Sequence, residues 1–320
     1  MPEPNPTESK FGRSAPGMVA LAIMAASPFM PLLLAVLPAP LAYARLRYGV
    51  GNFAVAASVC AALTLAGGGS VGLFAVVAAL VICGNALGVS MSAGEPDDRT
   101  LLRGTLIPAL SVGAVLAVYF LANGVDPWAI AAKDMDASVS RAVGMYKRLG
   151  MSQADIDAAL PTVKLWMRVM TDGLVAVAFY TMTATCVMSH ALLRRYAVKA
   201  GLVKARAEGE GLANWVAPDH AVWGVIIPGF LMIPDVHVLR VAAGNVLAVF
   251  ALVYLFQGIG IVSYLIGRLK MPRGFRILLW AMVLLQPYLF LTMWAVGLFD
   301  TWVDFRKLRK KPDSRDARKA

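Results

Sequence analysis

Charged side chains are scarce in this chain of 320 residues, since Asp, Glu, Lys and Arg together make up only 15% of it. A soluble globular domain carries about 25% charged residues. The charges that are present stand in short clusters, and the apolar runs between them approach the roughly 20 residues that a hydrocarbon core about 30 Å thick requires of a helix. The shortage of charge therefore argues against a soluble domain and predicts an all-α polytopic integral membrane protein.

Cysteine and histidine are also rare, with three of each in the chain. Cys60, Cys83 and Cys186 lie inside apolar runs without Cys-x-x-Cys spacing, so neither a disulfide framework nor a zinc site is indicated. The chain has no His-Glu-x-x-His and no Gly-x-x-x-x-Gly-Lys-Ser/Thr segment, so zinc proteases and ATPases lack their required groups. We therefore predict no catalytic residue, no metal and no cofactor, with an intramembrane enzyme of dispersed site as the weaker alternative.

The net charge of +11 comes from Lys and Arg at the ends of apolar runs and in the tail. Basic residues in these places determine membrane topology and contact anionic headgroups, so membrane lipids are expected partners. Nucleic-acid binding would need a basic surface interleaved with aromatic side chains, or a recognisable module. Neither occurs in the sequence, and no nucleic-acid partner is predicted.

Three regions are predicted along the chain. Residues 1–16 are polar and carry four prolines, which indicates a disordered tail, and residues 304–320 form a basic tail. Residues 17–303 are predicted to form a single bundle of about eight transmembrane helices, with a range of seven to nine. The candidate spans are 17–46, which its prolines could divide in two, 51–66, 70–91, 103–123, 170–192, 221–234, 240–267 and 276–299.

The segment 125–168 differs from the rest of the bundle because it holds five acidic and six basic residues among apolar ones. This mixture predicts an insert of two or three amphipathic helices. Ser152 and Asp155 have nearly the spacing of a capping box, which places a helix start at Ser152. Pro161 is expected to end that helix.

Polar side chains inside apolar runs are the candidate ligand-binding residues. An amide in hydrocarbon is costly unless it finds a partner, so such residues are expected to face the bundle interior or a wet cavity. Gly244, which precedes Asn245, leaves room for a solute or a neighbouring backbone. Hydrogen bonding between helices is the structural alternative. The residues are Asn85, Asn245 and Gln257, and Asn245 is predicted to share a polar cavity near mid-membrane with Asn85.

A possible partner interface lies in the first span. Ala22 and Ala26 stand four residues apart, and small residues at this spacing let another helix approach closely. Internal packing of an alanine-rich protein is the alternative explanation. Either use would place both alanines on one helix face.

The final third of the chain carries the most recognisable motifs. These are Gly244-Asn245, the run Tyr254 to Ser263 around Gln257-Gly258-Ile259-Gly260, and the run Gly297 to Arg306. Together with the proline-rich first span and Arg47-Tyr48-Gly49, they resemble the YybS-like, or DUF2232, family of uncharacterised bacterial membrane proteins. That family is thought to be distantly similar to the S components of energy-coupling-factor vitamin transporters.

The resemblance implies a multi-pass protein of the bacterial cytoplasmic membrane. It also implies an S-component-like role in binding or transport, with a small-molecule solute and an ATPase-bearing transport module as expected partners. The alternative from a different class is a structural or assembly protein that docks a helix of another membrane protein. One fold hosts many functions, so the resemblance predicts fold more strongly than activity.

Overall fold

The computed structural model describes residues 18–20, 22–23, 31–204, 212–269 and 272–308. The regular structure in these ranges is helical, without any strand, which confirms the predicted all-α class. Short 3-10 segments cover Pro31–Val36, Leu212–Asn214 and Asp219–Val222. The α-helices bounded in these ranges are α1 (Pro38–Ala66), α2 (Val71–Ser92), α3 (Asp97–Asn123), α4 (Pro127–Arg148), α5 (Gln153–Asp172), α6 (Leu174–Lys199), α7 (Trp223–Leu231), α8 (His237–Arg268), α9 (Arg273–Leu285) and α10 (Pro287–Val303).

Five helical stretches of the described chain are long and apolar enough to cross a membrane. They are Leu33–Ala66, which contains α1, and the helices α2, α3, α6 and α8. The pair α9 and α10 would add a sixth span, although the two helices are bent by 96° relative to each other. The described residues thus provide five or six spans, and the predicted eight are not confirmed.

The difference in span number has local causes. Gly49 adopts a φ of 82° and a ψ of −165° and kinks α1 without ending it, so 51–66 is not a separate span. The predicted span 221–234 forms only the apolar stretch Asp219–Leu231, which is about 20 Å long at 1.5 Å per residue. That is shorter than the hydrocarbon core of about 30 Å. Most of residues 17–30 lie outside the described ranges.

The charged insert forms the two helices α4 and α5. The Asp155 N–H donates to Ser152 Oγ at 3.1 Å, and Ser152 Oγ lies 2.6 Å from Asp155 Oδ2, so the predicted helix start is confirmed. The prediction that Pro161 ends this helix was wrong, because α5 continues to Asp172. A proline removes one backbone hydrogen bond, and a helix of this length continues past that loss. Pro108 lies inside α3 in the same way.

The chain divides into two compact units. The first comprises residues 1–171 and 177–205, and the second comprises residues 172–176 and 206–320. The prediction that residues 17–303 form one bundle stays a prediction, and each unit is described by itself.

In the first unit α1 packs on α2, and α2 packs on α3. Gly84 and Gly88 of α2 face α1 at very short range: a Cβ added at Gly84 would lie 2.8 Å from Leu41 Cβ, and one added at Gly88 would lie 2.7 Å from Arg45 Cβ. Small residues four positions apart allow two helices to approach in this way. This pair was not singled out in the sequence, and it holds α1 against α2.

In the second unit α8 packs against α7 and α10. The closest approach joins α8 to α10 through two glycines. A Cβ added at Gly258 would lie 1.9 Å from the Met293 carbonyl oxygen, and one added at Gly297 would lie 1.9 Å from the Tyr254 carbonyl oxygen. The two backbones therefore touch, with no room for a side chain between them.

Candidate functional site

A buried polar network joins α8 to the end of α10 in the second unit. Gln257, Asp300 and Arg306 are 0%, 1% and 4% exposed. Gln257 Nε2 donates to Asp300 Oδ2 at 2.9 Å, and Arg306 Nη2 lies 3.0 Å from the same oxygen. A carboxylate withdrawn from water requires compensation of this kind, because an unpaired buried charge is very costly.

Backbone groups complete the network. The Gln257 Oε1 atom accepts from the Ala217 N–H at 3.1 Å, and Arg306 Nη1 donates to the Ala213 carbonyl at 2.8 Å. The Phe305 N–H donates to Asp300 Oδ1 at 2.8 Å. Most polar atoms of the three side chains are therefore satisfied by the protein itself. The network ties residues 212–217 to α8 and α10, and this geometry gives it a positioning role.

Asn245 lies on α8 and is 8% exposed, so it faces the interior of the unit rather than lipid. Its Oδ1 accepts from the Ala176 N–H at 2.8 Å, and its Nδ2 donates to the carbonyls of Asp172 at 2.7 Å and Val241 at 2.8 Å. These contacts bridge the break between α5 and α6, where backbone groups lack helical partners. Around Gly244, a Cβ would meet nothing within 4 Å in the described residues.

Asn85 lies on α2 in the first unit, where its Oδ1 accepts from Arg45 Nε at 3.2 Å. Asn245 and Gln257 belong to the second unit. The hypothesis that Asn85 and Asn245 share a polar cavity therefore stays a prediction. The ligand-binding role of all three amides also stays a prediction, and each has at least one protein partner.

The predicted partner interface is described only in part. Ala22 is exposed, whereas the nearby Ala20 is 1% exposed and packs in a cluster with Leu37 and Leu41. Ala26 lies outside the described residues. Contact of the Ala22 face with a partner helix stays a prediction.

A second polar cluster, in the first unit, was missed in the sequence. Asp97 Oδ1 at the start of α3 lies 2.7 Å from Arg194 Nη1 and 3.3 Å from His190 Nε2, both on α6. His190 is 4% exposed. His190 and Arg194 are four residues apart and therefore lie on one face of α6. This spacing is the sequence signal that could have identified the cluster. Among the described residues, no three His, Cys, Asp or Glu side chains form a metal-binding group.

One short motif that can mark a nucleophilic serine does occur in the chain. The five residues from Gly68 to Gly72 match Gly-x-Ser-x-Gly, with Ser70 in the centre. A nucleophile elbow joins a strand to a helix, whereas Ser70 joins helix α1 to helix α2. Its Oγ accepts from the Leu73 N–H at 3.3 Å, so this serine caps α2.

A cavity of about 260 Å³ lies between α8, α9 and α10 in the second unit, and it is called the α9 cavity below. The turn between the two bent helices is extended at Gln286, with φ −111° and ψ 103°, and Pro287 follows it. A residue before proline is driven to this conformation. The lining residues are Val262, Leu279, Met282, Val283, Leu289, Thr292, Met293 and Val296.

A cavity of equal volume, called the α1 cavity below, lies between α1 and α2 in the first unit. Its lining is wholly apolar. The residues are Ala57, Ala61, Phe74, Val77, Ala78, Val81 and Ile82.

Comparison with known proteins places the chain by its sequence. No curated protein and no solved structure matches it, so the expected similarity to S components of vitamin transporters stays a prediction. A family described as a predicted membrane protein, DUF2232, matches residues 18–301. That match includes Gln257, Gly258, Gly297 and Asp300, which join α8 to α10 in the second unit. The chain, which has five or six candidate spans among its described residues, is an integral membrane protein that belongs to the DUF2232 family.

Proposed function

We propose that the protein is a membrane-embedded binding protein whose second unit holds an apolar ligand in the α9 cavity. The observation that carries this proposal is the composition of the cavity wall. Seven of its eight side chains are apolar, and the hydroxyl of Thr292 donates to the Tyr288 carbonyl at 2.9 Å. A wall without unpaired polar groups favours an apolar ligand.

The volume and the surroundings of the cavity support the same function. The α9 cavity is a partly open groove of about 260 Å³, more than the roughly 150 Å³ of the enclosed cavity that binds benzene, so it has room for a hydrocarbon group. Met293 and Val262 of the wall belong to α10 and α8, which the Gly258 contact fixes against each other. A wall that is fixed before binding lowers the entropic cost of holding the ligand.

In this proposal Gln257 acts on the ligand indirectly, by holding α8 to α10 through Asp300. A direct contact of Asn85, Asn245 or Gln257 with a small solute is a further hypothesis. A transport role would need an ATPase subunit in trans, because the chain carries no phosphate-loop motif. This chain therefore has a candidate site for the binding step of the predicted transport role.

Replacing Val262 by phenylalanine is expected to fill part of the α9 cavity and displace the ligand. Protein purified in mild detergent would be extracted, and bound small molecules counted per chain by mass spectrometry. We expect the variant to retain about tenfold less ligand than the wild type, which corresponds to about 1.4 kcal/mol of binding free energy. The control is Val246→Phe, because Val246 lies on the same helix, is 44% exposed and does not line the cavity. Equal retention by both variants would count against the proposal.

The second candidate function is docking of a partner helix on the Ala22 face, and the exposure of Ala22 favours it. Ala22→Leu is expected to abolish co-purification of a membrane partner while leaving the isolated chain folded, because the larger side chain blocks close backbone approach. Ala54→Leu, at an exposed alanine of α1 away from the Ala22 face, serves as the control. Unchanged co-purification with Ala22→Leu would exclude this interface.

A further inference from the structure

Two arginines lie on the helices α8 and α9 that line the α9 cavity, each a short distance along its helix from a lining residue. Arg268 ends α8 six residues after the lining residue Val262, which is about 9 Å along the helix. Arg276 precedes the lining residue Leu279 by three residues, so the two share one face of α9. Both arginines are exposed. Only residues 269–272 separate the end of α8 from the start of α9, so both arginines belong to the end of this helix pair where the chain connects the two helices.

The sequence that connects α8 to α9 carries charge of one sign. The segment 268–276 contains Arg268, Lys270, Arg273 and Arg276 and no acidic residue. The α1 cavity has the same volume and an equally apolar wall, but residues 49–94, which include all of its lining, contain no charged residue. Basic residues at the connected ends of α8 and α9 thus distinguish the α9 cavity from the α1 cavity.

An apolar cavity wall together with basic residues on the same helices matches one class of molecule. A phospholipid has hydrocarbon chains that suit the apolar wall and a phosphate that guanidinium groups bind through paired, charge-assisted hydrogen bonds. An anionic headgroup adds net attraction that a zwitterionic headgroup lacks.

We propose that the ligand of the α9 cavity is an anionic phospholipid, with an acyl chain in the cavity and its headgroup at Arg268 and Arg276. This inference rests on the proposed function, since it names the ligand class of the same site. It assigns the two arginines to headgroup recognition in addition to the effect that any basic loop has on topology.

The test uses the full chain in detergent, titrated with phosphatidylglycerol or phosphatidylcholine of identical acyl chains and followed by native mass spectrometry. We expect phosphatidylglycerol to bind about tenfold more tightly. The double variant Arg268→Gln, Arg276→Gln is expected to lose this preference, whereas the double lysine variant at the same positions retains most of it. Arg240→Gln is the matched control, because Arg240 is an exposed arginine at the other end of α8.

The possible results distinguish a failure of the headgroup assignment from a failure of the proposed binding function. Equal binding of the two lipids by the wild type, or a preference that survives the double glutamine variant, overturns the inference. If Val262→Phe weakens both lipids in that case, the proposed function stands without the headgroup assignment. If Val262→Phe leaves the binding of both lipids unchanged, the cavity is not the site and both proposals fail.

Discussion

Replacing Gly258 by alanine is expected to destabilise the second unit by at least about 3 kcal/mol, the upper end of the usual cost of overpacking. The added Cβ would lie 1.9 Å from the Met293 carbonyl oxygen and 2.6 Å from its carbonyl carbon. Both atoms belong to the backbone, so no side chain can rotate away, and α8 and α10 must separate. Thermal unfolding in detergent measures the effect as a lower midpoint.

The control for this substitution is Gly267→Ala on the same helix. A Cβ at Gly267 would meet nothing within 4 Å among the described residues. Alanine is also the better helix former by about 1 kcal/mol. We therefore expect an unchanged or slightly higher midpoint for Gly267→Ala. Equal midpoints for the two variants would contradict the close contact of α8 with α10.

Replacing Asp300 by alanine is expected to cost about 3–5 kcal/mol, the usual penalty for removing one partner of a buried ion pair. The side chains of Arg306 and Asp300 are only 1% and 2% exposed, so the remaining guanidinium would be held without its carboxylate. The Gln257 amide and the Phe305 N–H would also lose their acceptor. The midpoint of thermal unfolding again reports the loss.

Two further variants make this result specific. Asp235→Ala removes a carboxylate 2.7 Å from Arg240, but that carboxylate is 92% exposed, and surface pairs contribute less than about 1 kcal/mol. The double variant Asp300→Ala, Arg306→Met removes the stranded charge and is expected to recover part of the stability lost by Asp300→Ala. A double variant no more stable than Asp300→Ala would show that the penalty does not come from the unpaired arginine.

The class of the protein and the helical nature of its segments could be predicted from composition and apolar runs, because hydrocarbon admits few backbone structures. The helix start marked by Ser152 and Asp155 could also be predicted from the sequence. The number of spans could not be predicted. Gly49 looked like a boundary but only kinks α1, and the apolar stretch 221–234 folds into a helix too short to cross a membrane.

Only part of the candidate site could be predicted from the sequence. Gln257 could be singled out as an amide in an apolar run, but its partner Asp300 lies 43 residues away, and no periodicity pairs two positions at that separation. The motifs around Gly258 and Gly297 identified the family, while their physical role is visible only where the two backbones meet. The α9 cavity depends on the bend between α9 and α10, and the presence of Pro287 alone does not determine the angle of that bend.

A high-resolution structure of the protein in nanodiscs containing phosphatidylglycerol tests the proposed binding function most directly. We expect elongated density along Val262, Leu279 and Val296 that continues to a phosphate-sized feature near Arg268. The same density is expected to be missing from Val262→Phe. A wild-type map in which side chains fill the space between α8, α9 and α10 would contradict the proposed binding function.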